Sequence, residues 1–388
     1  ERLDEAEVER LFGARGEDVD RVCAAADALR AAVNGDTVSY VVNRNINYTN
    51  LCSYHCQFCA FAKGKTDEDL RGAPYVLDLD EIARRAAEAW ERGATEVCLQ
   101  GGIHPAFTGQ TYLDILRSVK AAVPGMHVHA FSPLEVSQGA RTLGIGVGDF
   151  LRELRDSGLG TLPGTAAEIL DDEVRRQICP DKLDTAQWLE VVATAHRLGL
   201  RTTSTIMFGH LEAPVHWARH LLAIRDLQQR TGGLTEFVPL PFVHMEAPLF
   251  RRGRARPGPS WREVRLMYAV SRLVLHPLVT NIQASWAKLG TEGAARMLSA
   301  GVNDLGGTLM NESISRAAGA SYGQELPPER MDALIRAAGR EPRQRTTLYG
   351  EPPAERVARS YGAAEFAAMH FRPARDYRGA APSRQQPT

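Results

Sequence analysis

Hydrophobic and polar positions alternate along this chain with two periods. Short β-branched or apolar runs recur eight times: SYVVNRNINY from Ser39, TEVCLQGG from Thr95, HVHAFS from His127, LGTLPG from Leu159, RTTSTIMFG from Arg201, LTEFVPLPF from Leu234, LVTNIQAS from Leu278 and GVNDLGG from Gly301. Each has the length and composition of a buried strand. Between them the apolar spacing turns helical. After Asp78, Leu79, Ile82, Ala83, Ala86 and Trp90 share one face, and Asp78 with Glu81 has the pattern of an N-cap box. After Asp184, Trp188, Val192 and Ala195 line up in the same way, and Gly93, Gly158, Gly199 and Gly301 punctuate the entries to later strands.

Eight strands alternating with helices over about 270 residues predict an α/β fold, a (β/α)8 TIM-type barrel. The runs at Leu159 and Gly301 are the weakest, which leaves room for a partly open barrel, and a doubly wound open sheet is the competing architecture. No GxGxxG follows a strand and no GxxxxGK[ST] occurs, so dinucleotide and P-loop functions lack a motif. The expected organisation is an N-terminal helical extension over 1–36, the barrel over 37–340 and a C-terminal extension over 341–388. Residues 3–33 read as two helices covering the N-terminal end of the barrel, and 327–339 as a last helix. The Arg-, Pro- and Gln-rich tail from Arg372 reads as disordered.

Composition narrows the function classes. A formal net charge of −1 over 388 residues gives no basic face for nucleic acid, and the cluster Arg251, Arg252, Arg254 and Arg256 reads as a solvated loop in preference to a phosphate site. No run is long and apolar enough to span a membrane, and ERLDEAEVER is an acidic helical start with no secretory pattern, so a cytoplasmic protein is expected. A first residue other than methionine suggests a processed chain or an excised domain.

Six cysteines remain. Cys23, Cys98 and Cys179 are scattered, and Cys98 sits in an apolar run as a small hydrophobe. Cys52, Cys56 and Cys59 form CxxxCxxC directly after the first strand, which on a barrel is the active-site rim. Three thiolates hold three irons of a cubane cluster and leave the fourth without a protein ligand, an open position of the kind catalytic metal sites keep. A structural zinc using His55 or a distant residue, and an electron carrier with a fourth thiolate, are the alternatives.

With the aromatic Phe58 before its last cysteine, the motif resembles the signature of the radical S-adenosylmethionine superfamily. The resemblance implies a [4Fe-4S] cluster on Cys52, Cys56 and Cys59, with S-adenosylmethionine chelating the open iron. Reductive cleavage then yields methionine and a 5′-deoxyadenosyl radical, the cofactor carrying the hard step. Phe58 would pack near the adenine.

The flanks are more specific. NRNINYTNLCSYHCQFCAFAKGK from Asn43 resembles the CofH type, the tyrosine-using component of FO synthase, which some actinobacteria carry as the C-terminal half of a longer chain. The likeness continues through LQGGIHP, HVHAFSPLEV, LPGTAAEILDDEVRRQICPDKLDT, TSTIMFGHLE, FVPLPF, NIQASWAKLG and NDLGGTLMNESISRAAGA, roughly residues 38–320. It implies a transferase that takes hydrogen from the amine of L-tyrosine and fragments its Cα–Cβ bond. The 4-hydroxybenzyl group then joins C5 of 5-amino-6-(D-ribitylamino)uracil, and 2-iminoacetate leaves. A CofG-type partner radical enzyme, separate or fused, would close the ring to FO, and a reduced electron donor is required. The radical enzymes of the futalosine route to menaquinone share the NINYTN…CAF block. Lys63, Gly64 and Lys65, with NIQASWAKLG, favour the FO reading.

The same resemblance suggests residue roles. Gln100, Gly101 and Gly102 would meet the methionine amine through backbone groups, Ile103 and His104 standing where an acidic residue is common, or would simply make a tight turn. Ser132, Glu135 and Glu168 would bind the ribose or amino-acid end of S-adenosylmethionine, or cap helices. His210 and Glu212 follow strand five, Gln283 and Trp286 end strand seven, and Asp304, Gly306 and Gly307 end strand eight. Of these His210 and Asp304 are the catalytic candidates and the others substrate contacts, whereas His216, His220 and His244 read as surface or packing residues.

Overall fold

The computed structural model describes residues 2–62 and 73–373; Lys63, Gly64, Lys65 and the tail from residue 374 lie outside the described residues. The first run becomes two strands, β1 (Thr37–Val41) and β2 (Asn43–Asn47), followed by a short rim strand β3 (Tyr75–Val76). Then come β4 (Glu96–Gln100), β5 (His127–Ala130), β6 (Thr161–Leu162), β7 (Arg201–Phe208), β8 (Leu234–Pro241), β9 (Asp304–Gly307), β10 (Glu341–Arg345) and β11 (Arg372–Pro373). Strands β2, β4, β5, β6, β7 and β8 form one curled parallel sheet in that order. The ring is completed more thinly. Single bridges join Phe237 to Ile282 and Gln283 to Asp304, and β9 pairs in parallel with β1. This is an eight-membered α/β barrel, firmly bonded over six strands and loosely closed through the seventh.

Local chemistry explains the weak members. Pro163 and Gly164 cut β6 to two residues by removing a ladder donor and a side chain to pack. In β9 a Cβ at Gly307 would fall on the Asn43 side chain and one at Gly306 on Gln283, so inward residues of neighbouring strands occupy the space. The helix Leu79–Glu91 starts as expected, Asp78 accepting from the Glu81 N–H at 2.8 Å. Glu81 does not return the bond to Asp78. Its carboxylate pairs with Arg84 and Arg85, each at 2.7 Å.

The helices Glu5–Phe12 and Glu17–Asn34 sit differently from the expected cover of the barrel floor. They pack on the outer helices Pro214–Thr231 and Trp261–Leu275, with Phe12 edge-on to Trp217 at 5.1 Å. Val8, Phe12, Val19, Cys23 and Ala26 make the apolar stripe that selects this flank. The strand ends at the floor are met instead by β10, which lies parallel to β1 with Val41 opposite Arg345. Residues after 340 are therefore part of the barrel's hydrogen bonding. The helix expected over 327–339 is Pro328–Ala337, but it is not the last: a short helix, Ala354–Ser360, follows β10, and among the described residues no helix is long and apolar enough to cross a membrane.

Candidate active site

The cysteine loop leaves the top of β2 and is tied to several rim segments. Gly102 N–H donates to the Thr49 carbonyl at 2.9 Å, and Ser53 N–H to that of Ile103 at 2.8 Å. Gln57 N–H donates to the Ile178 carbonyl at 2.8 Å, and Leu249 N–H to that of Gln57 at 2.6 Å. Arg252, from the basic cluster, donates to Gln57 Oε1 at 2.5 Å, and Arg256 forks onto Glu263 at 2.7 and 2.8 Å. The loop is thus held by backbone bonds to elements distant in sequence, a rigid seat for its side chains.

Cys52, Cys56 and Cys59 all line one cavity of about 410 Å³, within the usual range of small-molecule sites. Burial pushes the Cys52 and Cys56 thiols up, although the Ile103 N–H points at Cys52 Sγ from 3.3 Å and favours its thiolate. Among the described residues, the group of three or more His, Cys, Asp or Glu whose ligand atoms all lie within 4.8 Å of one another is Asp171, Glu173 and His216, away from this loop. The three thiols of the loop share one cavity as soft donors, the ligand type that iron–sulfur centres take.

The rest of the wall is built by three strained turns. Phe131 (φ 60°), Ala166 (φ 63°), Glu168 (φ 47°), Leu309 (φ 54°) and Asn311 (φ 64°) are left-handed without being glycine, a conformation that persists only where its surroundings enforce it. The first turn delivers Ser132 and Glu135. Ser132 caps the helix Pro133–Leu143, its N–H and hydroxyl reaching Glu135 at 2.7 and 2.6 Å, and Tyr48 donates its hydroxyl to the same carboxylate. Burial pushes the Glu135 carboxyl up against these bonds and one from the Gly101 N–H. The second turn delivers Glu168, paired with Lys182 at 2.7 Å, whose ammonium stands 5.1 Å from the Phe58 ring centre. Burial alone would lower the Lys182 amine, but Cys56, Glu168 and Cys179 outweigh it and raise it. The third turn delivers Glu312 and Ser315, opposite Lys288.

Of the residues singled out in the sequence, the cavity lining unites Cys52, Cys56, Phe58, Cys59, Gln100, Gly101, Gly102, Ser132, Glu135, Glu168 and Gln283. Gly101 and Gly102 are small because this chain needs the space: a Cβ would meet the Tyr48 ring at the first and the Leu51 carbonyl at the second. His210, Glu212, Trp286, Asp304, Gly306 and Gly307 are not in that lining. His210 Nδ1 lies 2.8 Å from Glu212, which also accepts from the Trp217 indole at 2.9 Å. Burial would raise the Glu212 carboxyl, but His210 and the Gly209 N–H hold it at about 2. Trp286 donates to the Gly307 carbonyl at 2.8 Å, pinning strand seven to strand eight. Asp304 takes the Arg345 guanidinium at 2.6 and 2.9 Å and the Ser39 hydroxyl at 2.5 Å. His220 is fully buried, its Nδ1 accepting from the Leu170 N–H at 2.9 Å.

The lining also contains Lys182, Lys288, Glu312 and Ser315, which sequence reasoning passed over although each lies in or beside a block already singled out. Cys98 joins them, its side chain turned inward and its thiol pushed up to about 12 by burial, Glu96 adding to the shift. The signal was position: Lys288 and Glu312 stand just past the ends of strands seven and eight, where a barrel gathers its chemistry.

Residues 46–222 match the Radical SAM superfamily, and residues 231–356 the CofH/MqnC C-terminal region. The chain is 54% identical to the FO synthase of Streptomyces coelicolor over 92% of its own length but 40% of that protein, so it spans about two fifths of the FO synthases it matches. It is 51% identical to the 5-amino-6-(D-ribitylamino)uracil–L-tyrosine 4-hydroxyphenyl transferase of Methanopyrus kandleri, over 85% of this chain and 88% of that one. Among solved structures, methylornithine synthase superposes with a TM-score of 0.67 at 17% identity, covering 88% of this chain and 94% of that one, a likeness of fold.

Proposed function

This chain belongs to the radical SAM superfamily and, within it, to the CofH-type family that includes the Methanopyrus transferase, and from that membership we propose its reaction. It joins the 4-hydroxybenzyl group of L-tyrosine to 5-amino-6-(D-ribitylamino)uracil and releases 2-iminoacetate, 5′-deoxyadenosine and methionine. The second radical step of FO formation falls to a CofG-type partner, separate or fused, since the matched FO synthases are more than twice as long as this chain. The supporting observation is that Cys52, Cys56 and Cys59 line one cavity together with the charged side chains of Glu168, Lys182, Lys288 and Glu312.

In this reading the three thiolates hold a [4Fe-4S] cluster with one iron free of protein ligands. When bound there with S-adenosylmethionine, such a cluster would supply the radical chemistry, given an external one-electron donor. The protein's share is to bind, orient and exclude water. Phe58 offers a face for the adenine, while the Lys182–Glu168 pair and the backbone of Gly101 and Gly102 meet the methionine end. Ser132 and Gln100 supply hydrogen bonds along the same wall, and Gln283 at the cavity base turns an amide toward substrate or Glu236. His210 and Asp304 act as positioning residues, because Glu212 and Arg345 already engage them. The free cysteines suit a reducing, cytoplasmic setting.

The test is direct. Reconstituted without oxygen and reduced, the protein should convert S-adenosylmethionine, tyrosine and the ribitylaminouracil to an adduct of the expected mass, together with 5′-deoxyadenosine. Zinc on metal analysis, with no visible absorption, would end the radical reading. Turnover of an enolpyruvyl benzoate in place of tyrosine would move the chain to the menaquinone route.

A further inference from the structure

Among the described residues two ammonium groups line the cavity, and they differ in one respect. Lys182 is paired with Glu168 at 2.7 Å. Lys288 has no carboxylate within ion-pair distance among the described residues; its hydrogen bond is to the Ser315 hydroxyl at 3.2 Å. Its anionic neighbours Glu312 and Glu168 act on it only from beyond that distance, and a half-buried cation in this position gains from a ligand that brings an anion into contact. Beside it stands the mirror case. Glu312 is buried, one carboxylate oxygen accepts from the Ser315 N–H at 2.8 Å, and among the described residues no donor bonds the other.

Ser315 therefore stands between a cation and an anion that attract each other without closing to an ion pair, its hydroxyl turned to one and its N–H to the other. Left-handed Leu309 and Asn311 hold the turn that presents Glu312, so the separation is enforced by backbone. One positive and one negative group, set apart on a cavity wall, complement a zwitterion. The ribitylaminouracil presents hydroxyls, amines and carbonyls and no carboxylate, whereas an α-amino acid carries both charged groups on one carbon.

We propose that Lys288 and Glu312, spaced by Ser315, clasp the α-carboxylate and α-amino groups of the amino-acid substrate and so determine that it is a free amino acid. The inference rests on the tyrosine reading above and adds to it the subsite that orients the reacting amine. It assigns the Lys182–Glu168 pair to the other amino-acid moiety the site must hold, on the cysteine side. The two clasps lie on different turns, so each substrate end has its own charged pair.

Binding of tyrosine and of tyrosinol, which replaces the carboxylate by a hydroxymethyl group, is to be measured by calorimetry on the anaerobic holoprotein. Kinetics then give KM for tyrosine and for the ribitylaminouracil separately. The wild type should favour tyrosine over tyrosinol by about tenfold or more, the usual worth of a hydrogen-bonded charge. K288M should bind the two nearly equally and raise KM for tyrosine by about tenfold, leaving that for the uracil within about twofold; K288R should recover part of the preference. A wild type that does not distinguish the two ligands overturns the clasp without any variant. So does a folded K288M, melting at the wild-type temperature, that keeps the full preference. A protein yielding 5′-deoxyadenosine but no tyrosine-dependent product fails the functional reading itself, and a protein yielding product with a preference near one fails the clasp alone.

Discussion

At Gly102 a single hydrogen atom decides whether the cysteine loop can sit on the barrel rim. A methyl group there would run into the Leu51 carbonyl and come to 3.0 Å from the Cys52 Cβ, and both belong to the loop that carries the thiols. The neighbouring Ile103 N–H reaches Cys52 Sγ, so the loop cannot retreat without losing that bond. G102A should therefore spread the three thiols and cost about 1–3 kcal/mol through overpacking. Expected is a protein that folds, shown by an unchanged circular dichroism spectrum, but binds less than half the wild-type iron on reconstitution. Wild-type iron content in G102A would mean that the loop seat is more yielding than its packing implies. The same scale separates the polar candidates: Glu212, held at about 2 by His210 and backbone N–H groups, is engaged by its own loop, whereas Glu312 keeps an oxygen for something else.

At the scale of elements, what was legible in the sequence is what periodicity and local spacing encode. The eight runs each became a barrel member because alternating apolar strands and amphipathic helices leave few other ways to bury their faces. The cysteine loop was legible for the same reason, its three thiols lying within eight consecutive residues. Two things escaped. The segment at Ile282 keeps its place in the ring by isolated bridges, Ile282 to Phe237 and Gln283 to Asp304, partners that no local window contains. The pairing of Lys288 with the turn at Glu312 escaped too, because they meet only when the barrel closes between strands seven and eight. Asp304 was expected at the catalytic end of its strand, but it opens β9 at the opposite end, and its partner Arg345 comes from β10, whose sequence EPRQR has no apolar alternation to mark it as a strand. Element-level reasoning finds positions on a rim; it does not find which charges are already spoken for.

The whole molecule is held at its floor by that partner. Arg345, brought in by β10, lies between Asp304 of β9 and Glu236 of β8, with Tyr349 donating its hydroxyl to Glu236. Thr347 and Asn43 reach Glu96 of β4 at 2.6 and 2.8 Å, so the C-terminal segment ties strands on both sides of the thin closure. Turned so that its nitrogen faces Glu236, the Gln283 amide donates to both carboxylate oxygens, at 3.1 and 3.2 Å. Removing the cation in R345M leaves two buried carboxylates without compensation, and about 3–5 kcal/mol of stability should be lost. The two acids share one cation unequally. Burial pushes the Glu236 carboxyl up to about 7; Arg345 draws it down, and Asp304 raises it. In the unfolded chain the same carboxyl titrates near about 4.3. Between those values the folded protein holds a proton that the unfolded chain has lost, so rising pH favours unfolding, and the loss levels off above the folded value. E236Q cannot take part in that exchange. Its melting temperature relative to wild type should therefore climb between pH 5 and pH 8, whereas a difference that stays flat across this range would show Glu236 to be charged throughout. Because the network lies at the strand ends opposite the cysteine loop, E236Q should reconstitute with wild-type iron content, and a stability change with iron retained would separate the floor from the site.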